Sequence, residues 1–215
     1  MKETMTVHKA LSELKVLGGR IEKELDNIEF IAVNKHSSNK VDGQPVADYM
    51  NHVRDAYKAI CTLVNRRNAI KRAVTNSNAV TLITVGGKKY TVAEAIDMKN
   101  VGTCYLRSIL GRLDAQWTAA KRTVQRENGE KLESRADAYV KSLYENVDVK
   151  NLAEDAKRAR ETFIEQQQME ILDPISAEKV MAKLRNDLDN FMSEVDAALS
   201  VSNALTTIEV EYETV

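Results

Sequence analysis

The side chains best placed to do chemistry in this chain are cations. Asn65-Arg66-Arg67-Asn68-Ala69-Ile70-Lys71-Arg72 puts four positive charges within eight residues. A guanidinium offers a planar fork of donors that matches phosphate or carboxylate. Arg66, Arg67, Lys71, Lys88 and Arg107 therefore form a candidate binding set for a small, nucleotide-like anion. Arg72, Lys89 and Arg112 lie close by in sequence. The cluster has a second reading, because cations near the C-terminus of a helix complement its dipole without any ligand.

Other chemistries find less support. His8, His36 and His52 lack the three- or four-residue helical spacing that would bring two imidazoles to one metal. Cys61 and Cys104 fall in helical patterns, belong to no CxxC motif and read as reduced core thiols. No serine sits in a nucleophile elbow. Gly86-Gly87-Lys88-Lys89 lacks the spacing of a phosphate loop and the Ser or Thr that follows its lysine. Lys157-Arg158-Ala159-Arg160 reads as a solvated face. The expectation is a protein with no catalytic residues, no metal site and no cofactor.

Composition narrows the classes further. The 215 residues carry a formal net charge of -1, which gives no global attraction to nucleic acid or anionic lipid. Aromatics do not interleave with the basic residues, so a stacking nucleic-acid surface is disfavoured. No run reaches the roughly 18 apolar residues of a membrane span, and the first residues resemble no signal core. With 43% hydrophobic but only 5% aromatic residues, the chain reads as helices packed through Leu, Ile, Val and Ala.

The elements that must position the cations follow from periodicity. Val7, Leu11, Leu14, Gly18, Ile21, Leu25 and Ile28 alternate four-three, the pattern of a heptad seam, in a first helix starting near Thr4 or Thr6. Gly18 in that seam would let another helix come close, or Gly18-Gly19 could break the helix. Phe30 to Val33 suggests a short extended piece, and Asn34 to Gly43 a polar loop with an Asp42-Gly43 turn. After Pro45, the stripe Val46, Met50, Val53, Tyr57, Ile60 and Val64 leads to Arg67 and Lys71, while apolar residues shift to Leu63, Ile70 and Val74. Either the buried face rotates there or two cations point inward. Asn78 is a plausible C-cap, and Gly86-Gly87 turns a hairpin at about residues 80–92. Thr91-Val92-Ala93-Glu94 has capping-box form and opens a helix with the seam Leu106, Leu110, Leu113, Trp117, Ala120 and Val124, stopping at Asn128-Gly129. Further helices carry Leu132 to Leu143 and Leu152 to Phe163, with an interruption at Val147 to Asn151. Asp173-Pro174 precedes the last helix, and a strand follows it at about residues 206–212.

Ser77-Asn78-Ala79-Val80-Thr81 returns as Ser202-Asn203-Ala204-Leu205-Thr206. The repeat marks two places where a helix turns into a strand, or an internal pseudo-repeat whose strands share one sheet. In the second case Glu209 and Glu211 could pair with Lys88 or Lys89. The expected fold is a mainly α, elongated antiparallel bundle, a single domain over residues 1–215, with a small β-hairpin or three-stranded sheet.

The heptad helix, Arg67-Asn68-Ala69-Ile70 and Val85-Gly86-Gly87-Lys88-Lys89-Tyr90-Thr91-Val92-Ala93-Glu94-Ala95-Ile96 resemble the septicolysin-like family of small bacterial and phage proteins over about residues 5–125. The resemblance implies a helical, oligomeric protein of bacterial or phage origin, in the host cytoplasm or a virion. Two functions follow as expectations. One is a non-enzymatic, self-assembling structural or assembly component. The other is a protein that sequesters a nucleotide-like anion and so counters a host defence signal.

Overall fold

The computed structural model describes residues 1–41, 43–144, 149 and 153–215. Asp42 of the expected turn, Leu152, and all of the expected interruption at Val147 to Asn151 except residue 149 lie outside the described residues. The elements run β1 (Lys2–Thr6), α1 (Val7–Asp26), β2 (Lys40–Val41), β3 (Gln44–Pro45), α2 (Val46–Val80), β4 (Leu82–Val85), β5 (Lys88–Thr91), α3 (Val92–Asp97), a π-helical turn (Met98–Gly102), α4 (Thr103–Asn128), α5 (Glu130–Leu143), α6 (Glu154–Gln167), α7 (Ala177–Leu205) and β6 (Thr207–Glu211). The fold is mainly helical, with small antiparallel sheets.

The chain divides into two compact units, Met1–Val101 with Asn190–Val215, and Gly102–Asp189. The single-domain expectation rested on the absence of a linker. Both boundaries fall inside helical stretches, the π turn and α7, which have no linker composition.

In the first unit, helix ends and strand starts obey the same rule twice. α2 runs two residues past Asn78, so Asn78 is not the cap. Thr81, which closes the helix, is extended at φ -73° and ψ 122°. A β-branched residue suits that conformation. The Thr81 amide donates to Ser77 O at 2.9 Å, and the Thr206 amide donates to Ser202 O at 2.9 Å. The strands that follow pair in matching registers. Ile83 lies opposite Tyr90 and Val85 opposite Lys88, while Ile208 lies opposite Met5 and Val210 opposite Glu3. Each ladder ends alike, with Val92 N donating to Thr81 O and Val7 N donating to Thr206 O, both at 2.9 Å. Thr91 and Thr6 then cap the next helices, their hydroxyls accepting from Glu94 N and Lys9 N.

The expected three-stranded sheet is therefore corrected. β6 pairs with β1, and β4 with β5, in separate two-stranded sheets. Lys-Glu-Thr-Met-Thr carries one large apolar residue and shows its strand character only when β6 lies beside it. Glu209 correspondingly pairs with Lys2 at 2.8 Å, not with a hairpin lysine. Two cores result. Ile208 and Val210 pack with Val7, Ala10, Ile70 and Val74. Ile83 and Val85 pack with Val92, Ala95, Phe191 and Val195. Ile70 and Val195 occupy equivalent places in the two motif copies, and both are 0% exposed.

α2's buried face does rotate, since Ile70 and Val74 are buried while Arg67 and Lys71 are exposed. The hairpin turns at Gly86 and Gly87 with φ +56° and +73°, where other residues are strained. Glu194 Oε2 accepts from Gly86 N at 2.7 Å and ties the turn to α7.

In the second unit, Asn128 clamps Met169, its amide donating to Met169 O at 2.7 Å and its Oδ1 accepting from Met169 N at 2.8 Å. Arg160 pairs with Asp137 at 2.8 Å and also with Glu133, so it is not part of a solvated face. Tyr139 stacks on Phe163 at 4.6 Å. Asp173 Oδ2 accepts from Ala177 N at 2.8 Å at the start of α7.

Two predictions follow. Truncating either equivalent core residue leaves a cavity. Ile70→Ala should lower unfolding free energy by about 3 kcal/mol and Val195→Ala by about 2 kcal/mol in urea titrations. A near-zero effect at one site would break the equivalence. The second concerns Glu94, which accepts from the Thr91 amide at 2.7 Å. That bond, then the Thr91 hydroxyl, holds the carboxyl below its ordinary 4.5. A depressed folded pKa stabilises fully above the unfolded value, and that stabilisation is lost as pH falls through the folded one. Protection of the Thr91 amide against hydrogen exchange should therefore fall as pH drops below about 4.5. Glu94→Gln should flatten that fall, and an unchanged profile would contradict the assignment.

Candidate functional site

The basic cluster occupies the part of α2 that packs on β1 and β6, and the structure gives its residues different environments. Arg66 points at its own chain. Its Nε donates to Glu13 Oε1 at 2.6 Å, Nη1 to the Tyr212 hydroxyl at 2.6 Å, and Nη2 to Glu3 Oε2 at 3.1 Å. The guanidinium also lies over the Tyr212 ring, 5.2 Å from its centroid. The bond to Glu13 comes first among the interactions that hold Arg66 above its ordinary pKa, against the opposing cost of burial. This one side chain thus joins α1, α2, β1 and the segment after β6.

Arg67 is exposed and donates to Asn68 Oδ1 at 3.0 Å. Lys71 is exposed on the same helix. Lys88 lies beyond the hairpin turn, in the sheet whose core is formed with α7. Arg107 is exposed on α4, in the second unit. A polar cleft of about 450 Å³ beside α2 is lined instead by Asn65, Asn68, Arg72, Glu211, Tyr212 and Glu213, with Met1 and Ala69. Its carboxylates oppose its one arginine, so it is no simple anion cradle. Among the described residues, no three His, Cys, Asp or Glu side chains are grouped to hold a metal. No described helix is long and apolar enough to cross a membrane.

A different surface stands out at the ends of α2 and α7. Thr81, Leu82, Ile83 and Thr84 face Ala197, Ala198, Val201, Ser202, Leu205 and Thr206 around an open cleft of about 500 Å³. Leu82 is 63% exposed, Val201 58% and Leu205 76%. No lining residue is charged, in a chain where 29% of residues are. The feature runs along the sequence too. Ala73 to Gly87 and Ala197 to Ile208 are uncharged runs of 15 and 12 residues. A search for charged and nucleophilic side chains passes over such a site, because its signal is the absence of charge.

The chain was compared with protein-family models, curated proteins and solved structures, and none matches.

Arg66→Ala leaves Glu3 and Glu13 half-buried without their shared cation. It should lower stability by about 2–3 kcal/mol in urea titrations, whereas Arg67→Ala should change it by less than about 0.5 kcal/mol. Equal effects would refute the structural role of Arg66.

Proposed function

We propose that this protein is a non-enzymatic, self-associating structural or assembly component of phage or prophage type. The observation that carries this reading is surplus surface on seam-patterned helices. The chain exposes 15248 Å² for 24.1 kDa. A compact monomer of that mass exposes about 10,000 Å², and two separate compact bodies of half the mass about 12,000 Å² together. The chain's exposed surface exceeds both figures.

The long helices account for it. α4 has 26 residues, of which Thr103 alone is buried. Its seam residues Leu106, Leu110, Leu113, Trp117, Ala120 and Val124 are only half-buried within this chain. α2 has 35 residues, of which Ile60, Ile70 and Val74 are buried, while its seam residues Met50 and Tyr57 are exposed. A Cβ at Gly18 would meet nothing within 4 Å, so the close approach its seam position invites is open to another helix. Heptad seams cover their apolar positions by packing against partner helices. The resemblance of residues 5–125 to the septicolysin-like family points the same way, toward an oligomer of bacterial or phage origin.

The alternative, sequestration of a nucleotide-like anion, loses its central guanidinium, because Arg66 is occupied by Glu3, Glu13 and Tyr212. Calorimetry against nucleotides should register no binding that Arg67→Ala abolishes. Light scattering on the eluting protein should give a mass that is a multiple of 24.1 kDa. A monomer from micromolar to near-millimolar concentration would overturn the proposal.

A further inference from the structure

The uncharged ends of α2 and α7 lie beside one cleft in the first unit, and they combine three features. Leu82, Val201 and Leu205 line the cleft and are large, apolar and mostly exposed, and Val80, next to Thr81 in sequence, is 75% exposed. These four side chains present on the order of 500 Å², the size at which an exposed apolar patch marks an interaction site. Ala197 and Thr84 line the same cleft, and Ala79 and Ala204 adjoin its residues in sequence, all exposed and uncharged, extending the patch toward the roughly 800 Å² per partner of a standard interface.

The second feature is a strand edge without protection. Thr81 accepts from Val92 N, so the ladder bonds of β4 fall on Thr81, Ile83 and Val85. Leu82 and Thr84 accordingly turn their backbone N–H and C=O groups away from β5, and no further strand pairs with them among the described residues. Natural edges are usually guarded by charge. The matching edge of β6 carries Glu209 and Glu211, while that of β4 carries none.

The third feature selects the partner. In a two-fold contact each residue meets the same patch on the other copy, so any net charge meets its like and repels. A foreign partner gains specificity from complementary charges, which this surface lacks. The surface also draws on both copies of the repeat, with Thr81 from Ser-Asn-Ala-Val-Thr and Ser202, Leu205 and Thr206 from Ser-Asn-Ala-Leu-Thr. We infer that the uncharged end formed by Val80–Thr84 and Val201–Thr206 is the surface through which two copies of this chain associate. This rests on the self-association proposed above and names its contact.

The test is sedimentation velocity on the full chain and on Leu82→Glu/Leu205→Glu. Placing a carboxylate at the centre of an apolar two-fold contact opposes association. The double variant should raise the dissociation constant at least about 100-fold, with helical circular dichroism and melting of the dilute protein unchanged. If it is poorly folded, Val80→Gln/Thr84→Lys, both at exposed positions, should produce the same loss. Well-folded variants that associate like the unaltered chain would overturn this surface while leaving self-association standing. An unaltered chain that stays monomeric would overturn both. Flotation with phosphatidylcholine vesicles that depends on Leu82 and Leu205, in a chain whose self-association does not, would assign the patch to lipid and overturn the inference.

Discussion

The β1–β6 and β4–β5 ribbons of the first unit each have one apolar face, and that face must be covered by a helix. Ile83 and Val85 alternate with Leu82 and Thr84, as Ile208 and Val210 alternate with Thr207 and Glu209. A two-stranded ribbon in water is marginal, so it holds only where its apolar face is buried. The cover comes from the helix on the other side of the repeat. The strand after α7 packs on Ile70 and Val74 of α2, and the strand after α2 packs on Phe191 and Val195 of α7. Each helix end therefore serves twice, launching one strand and covering the other. This exchange accounts for the clearest sequence repeat in the chain, and it ties residues near the two ends into one core.

The two copies differ where they meet charge. The α2 copy places Arg66 among Glu3, Glu13 and Tyr212, and the α7 copy places Phe191 against Tyr90 at 5.7 Å in an edge-to-face contact. Arg66 and Phe191 are equivalent in the alignment that pairs Ile70 with Val195. The same geometric position is thus filled by an ion-pair network in one copy and an aromatic pair in the other. Both join a sheet to its covering helix. The arginine that looked most suited to a ligand is used to hold the terminal strands in place.

Local chemistry was legible in the sequence. Thr91 with Glu94, the Gly86-Gly87 turn, the stop at Gly129 and the start after Asp173-Pro174 all follow from residues within a few positions of one another. What could not be read locally depended on distant partners. β1 becomes a strand because β6 lies beside it, and Arg66 is occupied by Glu3, Glu13 and Tyr212, which adjoin it only in the fold. The division into two units was hidden because helices continue through it. The uncharged ends are inconspicuous in the sequence for a different reason. Functional side chains are sought by the charge they carry, and this surface is defined by having none.

Self-association, as proposed above, would follow from the fold. Seam-patterned helices remain half-covered, and a strand edge stands open beside exposed Leu82 and Leu205. The most direct test needs no substitution. Backbone hydrogen exchange, followed by mass spectrometry on the unaltered chain from dilute to concentrated solution, reads where copies touch. The account predicts that exchange slows with concentration in residues 80–84 and 201–207, the Leu82 and Thr84 amides among them. Exchange there that is independent of concentration, while α4 or another surface becomes protected, would contradict it.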